Sequence, residues 1–413
     1  MSNKLGDYIE FKNGLNYDKT HKGNGCKIVG VANFKNNLHI NFENLDEVKS
    51  DIVSDDMLLK NDDLLFVRSN GNKSLVGRCL FVSDLQEKMS FSGFTIRARI
   101  KNKQKLLPKY FLYYATAPNF KNSLYKKIGG GTNIRNLTQA VLEDINIELP
   151  ELDNQKKIAN CLDQITQKIQ LNNKINDELE KLAKTLYEYW FVQFDFPDEN
   201  NRPYKSSGGE MVYSNELKRE IPLDWEIGNL YTIADYYNGL ACQKFRPIDN
   251  EQSLPVVKIG EMHNGINVDT ELVKANIPAK NIIDSGDILF SWSATLEVML
   301  WTGNKAGLNQ HIFKVVPKSF YSKEYVYQQL SSYVINFVRI AEARKTTMGH
   351  ITTDHLKQSK ITLPPKEIIE KYSHSTEFVY KKMIECKKEN LYLIKLRDFL
   401  LPMLMNGQVI IQQ

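Results

Sequence analysis

The residues that come nearest to a catalytic site are two carboxylates and a lysine in a polar stretch of the chain. Asp198, preceded by Pro197, and Glu216, followed two residues later by Lys218, fit the loose P-D…E-x-K pattern of metal-dependent nucleases. That chemistry needs carboxylates held rigidly, so that a divalent metal can polarise a water molecule. No apolar strand surrounds either carboxylate, so the sequence favours a solvated connector over a nuclease centre.

Other catalytic signatures are missing from the sequence. It contains no G-x-x-x-x-G-K-[ST] phosphate loop, no G-x-G-x-x-G, no H-E-x-x-H and no N-P-P-[FYW] of adenine methyltransferases. The run Gly129–Gly131 lies in a polar stretch and indicates a loop. The seven histidines are dispersed, and no two of the five cysteines have C-x-x-C spacing, so neither a metal site nor a disulfide framework is predicted.

The side chains that do suggest a ligand are Lys and Arg interleaved with Asn, Gln, Ser, Thr and aromatic residues. Arg and Lys bind guanine edges and phosphates, Asn and Gln bind adenine, and small hydroxyls bind either. A solvated surface is the simpler interpretation of any one residue, whereas the paired sets favour nucleic acid. The candidates in the first half are Arg68, Ser69, Asn70, Asn72, Lys73, Arg97, Lys126, Lys127, Thr132, Asn133 and Arg135. Those in the second half are Lys244, Arg246, Trp292, Ser293, Thr295, Asn309, Gln310, His311, Lys345, Thr346 and Thr347.

Composition sets the broad class of protein. The 413 residues are 42% hydrophobic and 25% charged, with a net charge of +5, which is ordinary for a globular protein of two or more domains. No apolar run approaches the roughly 18–20 residues of a membrane span, and the N-terminus has no apolar signal segment. The expected location is therefore the cytoplasm. The slight excess of basic residues permits nucleic-acid binding without requiring it.

The elements that would position these candidates are repeated. Leu149-Pro150 matches Leu363-Pro364 at an offset of 214 residues, and the same offset relates apolar positions across about 65 residues. Upstream the frame drifts by about ten residues, so that Asp63-Leu64-Leu65-Phe66 matches Asp287-Ile288-Leu289-Phe290, and Asn13-Gly14-Leu15 matches Asn238-Gly239-Leu240. This contrast indicates a common scaffold with variable loops.

Each repeat predicts short strands and helices followed by one long helix. The predicted strands are 26–32, 64–68, 94–100, 256–259, 287–291 and 311–316, and the shorter helices are 108–117 and 322–340. The long helices, about 152–190 and 366–405, each carry an apolar stripe; in the first the spacings alternate between four and three, with one interruption near Asn172. At 1.5 Å per residue each is roughly 55–60 Å long, so the two are expected to pack on each other, antiparallel.

The chain resembles the specificity subunit of type I restriction–modification systems over nearly its whole length. The resemblance lies in WFVQFDFP (190–197), RPYKSSGGEMV, IPLDWEIGNL (221–230), GDILFSWSAT (286–295), LNQHIFKV (308–315) and LRDFLLPMLMNGQV (396–409). It implies an α+β fold in which two long antiparallel helices, forming a coiled coil, separate two mixed α/β target recognition domains with pseudo-twofold symmetry. The implied segments are 1–150 and 223–363 for these domains, 151–195 and 364–408 for the helices, 196–222 for a connector and 409–413 for a tail.

The family also implies partners and a division of labour. Each recognition domain would read half of a split, asymmetric DNA target, and the helices would set the spacer. Two modification subunits with S-adenosylmethionine would dock on the chain, and restriction subunits with ATP and Mg²⁺ would join them, leaving this chain no catalysis of its own. The implied partner-binding residues are Ile165, Leu182, Trp190, Phe191, Phe194, Leu396, Phe399, Leu400 and Met403.

One departure from the family and two alternatives accompany this prediction. The first long helix opens on Glu151 to Gln155 as the family does, whereas the second, from Pro365 to Ile369, lacks the glutamine. A stand-alone nuclease or methyltransferase with DNA-binding repeats is the alternative enzyme, and a coiled-coil interaction protein without a DNA role is the simplest alternative.

Overall fold

The computed structural model describes residues 3–34, 38–40, 42, 44–71, 75–128, 136–293, 295–343 and 350–411. The chain divides into two compact units. The first unit comprises Met1–Lys168 with Leu393–Gln413, and the second comprises Ile169–Tyr392. Among the described residues, no helix combines the length and apolar character needed to cross a membrane.

The first unit is a mixed α/β domain built on a four-stranded antiparallel sheet of order β1-β7-β4-β5 and a three-stranded sheet of order β3-β2-β6. Its elements are α1 (Leu5–Tyr8), β1 (Ile9–Asn13), β2 (Gly25–Val29), β3 (Asp46–Lys49), β4 (Leu64–Val67), β5 (Cys79–Phe81), β6 (Met89–Phe91), β7 (Thr95–Ile100), α2 (Pro108–Thr116), α3 (Pro118–Ile128), α4 (Gln139–Glu143) and the beginning of α5 (Leu152–Tyr187).

The side chains of strand β4 contribute to a hydrophobic core on each face of this sheet. Side chains alternate along a strand, so Leu64 and Phe66 join the cluster that contains α2 and α3. Leu65 and Val67 point the other way and join a second cluster with residues of β2 and β6. All four side chains are fully buried, as the run Leu-Leu-Phe-Val predicts for a strand covered on both sides.

The second unit repeats this plan. One four-stranded sheet has the order β11-β18-β15-β16, a second four-stranded sheet has the order β13-β12-β17-β14, and two two-stranded sheets pair β10 with β19 and β8 with β9. The elements are β8 (Met211–Ser214), β9 (Arg219–Pro222), β10 (Glu226–Asn229), α6 (Leu230–Ile233), β11 (Ala234–Asn238), β12 (Ser253–Val257), α7 (Ile259–Asn264), β13 (Leu272–Lys274), β14 (Ile282–Ile283), β15 (Ile288–Ser291), β16 (Glu297–Leu300), β17 (Ala306–Leu308), β18 (Ile312–Pro317), α8 (Lys323–Ala343), α9 (Thr353–Gln358), β19 (Lys360–Leu363) and α10 (Lys366–Met405).

The equivalence of the two sheets confirms the predicted α+β fold with an internal repeat. Strands β1, β7, β4 and β5 correspond in order and direction to β11, β18, β15 and β16. The parallel pair β2–β6 corresponds likewise to β12–β17.

An aspartate precedes the second-from-edge strand in each sheet; Asp63 is buried and Asp287 is partly exposed. Asp63 accepts from the backbone N–H of Lys60 at 2.7 Å and forms two hydrogen bonds of 2.7 Å with Arg99. The equivalent Asp287 accepts from the N–H of Asp284 at 2.8 Å and pairs with Lys314 at 2.9 Å. The repeated aspartates of the D-L-L-F and D-I-L-F motifs therefore fix a turn and a cation on the neighbouring strand.

The glutamine that distinguishes the first long helix from the second is structural. Gln155 is fully buried and donates to the carbonyls of Lys105 and Pro150, both at 2.9 Å, while its Oε1 accepts from the N–H of Leu107 at 2.9 Å. Ile369, 214 residues further on, is also fully buried but belongs to the apolar core of the second unit. The two helix openings therefore fill the same position with different chemistry.

Within the second unit, the two long helices run antiparallel. Asn172 of α5 donates to Glu389 at 2.7 Å and to Asn390 at 3.0 Å, whereas Trp190, just beyond α5, packs edge-on against Tyr372. The predicted interruption of the stripe at Asn172 is thus a buried amide pair, a device that fixes the register of paired helices.

Asn390→Ala is expected to lower the free energy of unfolding of the second unit by about 1–3 kcal/mol, because the buried Asn172 amide loses one of its two hydrogen-bond partners and keeps only Glu389. Hydrogen exchange of amides in α10 measures this loss. The matched control is Lys387→Ala on the same helix, whose pair with Glu180 is partly exposed and should contribute less than about 0.5 kcal/mol. Equal changes in both variants would contradict the register role of the amides.

The segment between the repeats contains a β-hairpin that the sequence did not predict. Strands β8 and β9 pair from Met211–Pro222 to Ser214–Arg219. Ahead of the hairpin, the Phe196 ring stacks on Tyr204 and Trp225 at centroid distances of 4.6 and 5.3 Å. These aromatic contacts supply the core that the polar sequence of the hairpin lacks.

Candidate nucleic-acid interface

The first cluster of predicted residues lies where β4 ends and β7 begins. The backbone N–H of Arg68 donates to the carbonyl of Phe94 at 2.8 Å, and its guanidinium Nη1 donates to Gly93 O at 3.2 Å. Ser69 forms a bridge with Asn136. We call Arg68, Ser69, Gly93, Phe94 and Asn136 the Arg68 surface.

A close backbone approach holds this end of the sheet in place. The N–H of Leu15 donates to Phe91 O at 2.8 Å, and Leu15 O accepts from the N–H of Gly93 at 2.7 Å. A β-carbon on Gly14 would overlap the carbonyl oxygens of Phe91 and Ser92. The repeated Asn-Gly-Leu motif thus owes its glycine to packing, and Gly239 meets the carbonyls of Leu308 and Asn309 in the same way.

The second cluster occupies the equivalent end of the other sheet. The indole Nε1 of Trp292 donates to Asn238 Oδ1 at 3.1 Å, and the indole ring lies 5.7 Å from His311 and 5.4 Å from His350. We call Asn238, Trp292, Asn309, Gln310, His311 and His350 the Trp292 surface.

The turn before β18 holds three of these side chains together. The carbonyl of Leu240 accepts from the N–H of Gln310 at 2.9 Å, and Asn309 Oδ1 accepts from the N–H of His311 at 3.3 Å. The side chains of Gln310 and His311 are in contact, with Nε2 atoms 3.4 Å apart. Amide and imidazole groups that can donate or accept are therefore concentrated beside the Trp292 ring.

Other predicted DNA-contacting residues are placed elsewhere or used within the fold. Arg97 is 1% exposed; its guanidinium donates to Asp56 O and Glu10 Oε1, both at 2.8 Å, and burial lowers its pKa. The prediction that Arg97 is available to DNA is therefore corrected, because loops cover the face of β7 that carries it. Ser293 is also buried.

The remaining candidates are exposed, partly buried or outside the described residues. Lys126, Lys244 and Thr295 are exposed, Asn70 is half-buried, and Arg246 pairs with Glu271 at 3.4 Å. The predicted residues that fall outside the described part of the chain are Asn72, Lys73, Thr132, Asn133, Arg135, Lys345, Thr346 and Thr347.

Lys127 bonds to Asp144 on the surface of the first unit, and this pair gives a pH prediction. Hydrogen bonds from Lys127 and Lys4 lower the pKa of Asp144 from 3.8 to about 2. Because the folded pKa lies below the unfolded one, this carboxylate stabilises the fold above about pH 4, and the contribution is lost as the pH falls toward 2. NMR titration should find the low pKa in the native chain and a higher one in Lys127→Ala; an unchanged value would contradict the pairing.

The residues implied to bind partners divide into buried and exposed sets. Trp190, Phe191 and Phe194 are buried in the core of the second unit, so their side chains are not available at its surface. Leu182, Leu396 and Phe399 are exposed, and Phe399 is 64% exposed. Ile165, Leu400 and Met403 are half-buried.

The carboxylates of the loose nuclease pattern are engaged elsewhere. Asp198 accepts two hydrogen bonds from the Arg202 guanidinium, at 3.1 and 3.0 Å, and Glu216 pairs with Lys360 at 2.6 Å. Within the described ranges, no three His, Cys, Asp or Glu side chains converge as metal ligands would.

Comparison with known proteins identifies the family. The model of the "Type I restriction modification DNA specificity domain" matches residues 1–181 and 222–391, so the chain belongs to this family, once in each repeat. The resemblance seen in the sequence is thereby confirmed.

Individual relatives agree with this membership. A type I restriction enzyme specificity subunit from Haemophilus influenzae is 24% identical over 389 residues, covering 81% of this chain and 84% of the relative. One from Methanocaldococcus jannaschii is 24% identical over 312 residues, covering 73% and 69%. The crystal structure of the type I restriction–modification S subunit from M. genitalium has the same fold, with a TM-score of 0.57, 13% identity and coverage of 98% and 95%.

Proposed function

We propose that the chain reads a split, asymmetric DNA target for a type I restriction–modification complex, with one half-site recognised by each repeat. The observation that carries this proposal is the duplicated sheet end, which presents the Arg68 surface in one repeat and the Trp292 surface in the other. Their side chains are of the types that bind base edges and phosphates. Because the side chains at equivalent positions differ, the two half-sites should differ in sequence.

The long helices would set the distance between the half-sites. α5 has 36 residues and α10 has 40, which at 1.5 Å per residue correspond to about 54 and 60 Å. Half-sites one helical turn apart lie roughly 34–36 Å from each other on one face of the DNA. Paired helices of this length can therefore hold a fixed spacer.

The chain would act through partner subunits and carry no catalysis of its own. Two modification subunits, which bind S-adenosylmethionine, would dock on the helices, and restriction subunits using ATP and Mg²⁺ would join them. Leu396 and Phe399 lie three residues apart on α10 and are both exposed, which supports a docking face there. The small net charge of +5 fits a complex in which partners supply part of the phosphate binding.

Exchange of one recognition domain tests this assignment. Residues 223–363 are replaced by the corresponding segment of a specificity subunit with a known target, and the methylated motif is determined with the modification subunit present. One half of the motif should change while the other half and the partner requirement stay. The reciprocal exchange of residues 1–150 is the matched control and should change the opposite half. A motif that changes in both halves, or in neither, would contradict the proposal.

A further inference from the structure

We infer that each surface places one aromatic ring against a base of its half-site, with one nitrogen-bearing side chain beside it, and that Phe94 is that ring in the first repeat. This inference rests on the proposed function and adds a specificity-determining residue to it. Phe94 is not among the residues predicted from the sequence, which are polar or basic loop residues together with Trp292.

The backbone of Phe94 is fixed, whereas its ring is free. Its carbonyl accepts from the N–H of Arg68 at 2.8 Å, and its N–H donates to Ser92 Oγ at 3.2 Å. The side chain nevertheless remains 64% exposed. A single exposed apolar side chain is common on protein surfaces, but this ring sits across the sheet from the arginine whose guanidinium is held by Gly93 O.

The second repeat also pairs an aromatic ring with a nitrogen-bearing side chain, but the two occupy exchanged positions relative to Phe94 and Arg68. The N–H of Trp292 donates to the carbonyl of His311 at 3.3 Å, as the N–H of Arg68 does to Phe94. Trp292 therefore stands where the first repeat has Arg68, and the exposed His311 stands where it has Phe94. Each sheet end thus carries one aromatic ring and one nitrogen-bearing side chain, although the residues themselves are not shared.

The contacts of Trp292 show how the orientation of such a ring is fixed before a ligand binds. The bond to Asn238 fixes the indole, and His311 and His350 flank it. Asn238, of the repeated Asn-Gly-Leu motif, acts as a positioning residue for the ring because its Oδ1 accepts the hydrogen bond from the indole.

DNA offers a binding partner for both the aromatic ring and the nitrogen-bearing side chain. Every base has an aromatic face on which a ring can stack, and apolar side chains can insert between base steps. A guanidinium or imidazole at the adjacent position reaches a phosphate or a base edge, where acceptors are concentrated. The exchange of positions would turn the ring toward a different base in each half-site, which agrees with an asymmetric target.

The test uses the chain assembled with its modification subunits and DNA carrying the methylated motif mapped for the wild type. Phe94→Ala should weaken binding to that DNA by roughly 5- to 150-fold, the effect of removing one stacked base contact. Phe94→Tyr should keep most of the affinity. Tyr213→Ala, which truncates another exposed aromatic ring outside both surfaces, is the matched control and should bind as the wild type does.

The position of a base substitution within the target distinguishes a contact to one base from a general contribution to DNA binding. In the Phe94→Ala variant, base substitutions in the half-site read by the first repeat should lose most of their effect on affinity, whereas substitutions in the second half-site should keep theirs. The variants Trp292→Phe and Asn238→Ala should show the reverse, with changes only in the half-site read by the second repeat. Unchanged affinity of Phe94→Ala, or an equal loss on unrelated DNA, would overturn the inference alone. A wild-type complex without sequence preference would overturn the proposed function and this inference with it.

Discussion

Asp63→Asn is expected to lower the free energy of unfolding of the first unit by about 3 kcal/mol, at the low end of the range for breaking a buried ion pair. The Asp63 side chain is 1% exposed, whereas that of its partner Arg99 is 23% exposed, so water can reach part of the arginine once the charge is gone. Asparagine can still accept from the N–H of Lys60 but leaves the Arg99 charge unpaired.

Two matched substitutions make this prediction sharp. Asp62→Asn changes the neighbouring aspartate, whose pair with Lys103 is exposed, and should shift stability by less than about 0.5 kcal/mol. Asp287→Asn removes the equivalent carboxylate of the second unit, which forms an ion pair with Lys314. It should lower the free energy of unfolding of that unit by about 1 kcal/mol. Hydrogen exchange localised to β4 and β7, or to β15 and β18, reports each unit separately. Equal effects of Asp62→Asn and Asp63→Asn would contradict the structural role of Asp63.

Trp190→Ala is expected to destabilise the second unit by about 3–5 kcal/mol, because it leaves a cavity in a packed aromatic core. The Trp190 ring is 6% exposed and packs on Tyr372 and Phe191 at centroid distances of 5.5 and 6.3 Å. Thermal unfolding and hydrogen exchange of α10 should both register the loss.

An exposed aromatic residue provides the contrast. Phe399→Ala should leave stability within about 0.5 kcal/mol of the wild type, as surface substitutions generally do. If α10 docks a modification subunit, the same variant should weaken assembly, which sedimentation of the mixed subunits measures. The opposite pattern, with Trp190→Ala folding normally and only Phe399→Ala unfolding the chain, would contradict the division into core and surface.

The sequence predicted the elements whose side chains have one clear periodicity. Strands β4 and β15 were found because each is a short apolar run between polar residues, and the repeated aspartate marked their starts. The long helices were found from their apolar stripes, and β8 and β9 were missed because their few buried side chains give no period.

Arg97 shows why alternation along a strand cannot assign exposure. In Thr95–Ile100 the isoleucines and Ala98 share one face, which leaves Arg97 and Arg99 on the other and suggests a solvated face. Loops carrying Asp56 and Leu58 cover that face and accept hydrogen bonds from both guanidiniums. Which loop covers a sheet depends on contacts about 40 residues apart in the chain, which local patterns do not encode.

The candidate site was predictable in outline only. Arg68 and Trp292 were found because they follow equivalent strands, but Phe94 was missed, although the residue pairing across the sheet from Arg68 could have pointed to it. Trp190, Phe191 and Phe194 were assigned to partner binding by resemblance, whereas they form the core where α5 ends.

The most direct measurement is single-molecule methylation mapping of DNA from cells that hold the modification subunit with this chain or without it. A split, asymmetric motif methylated on adenine should be found only where the chain is present, and its two halves should respond separately to Phe94→Ala and Trp292→Phe. An active modification subunit that methylates the same sequences with and without the chain would contradict a role in DNA recognition.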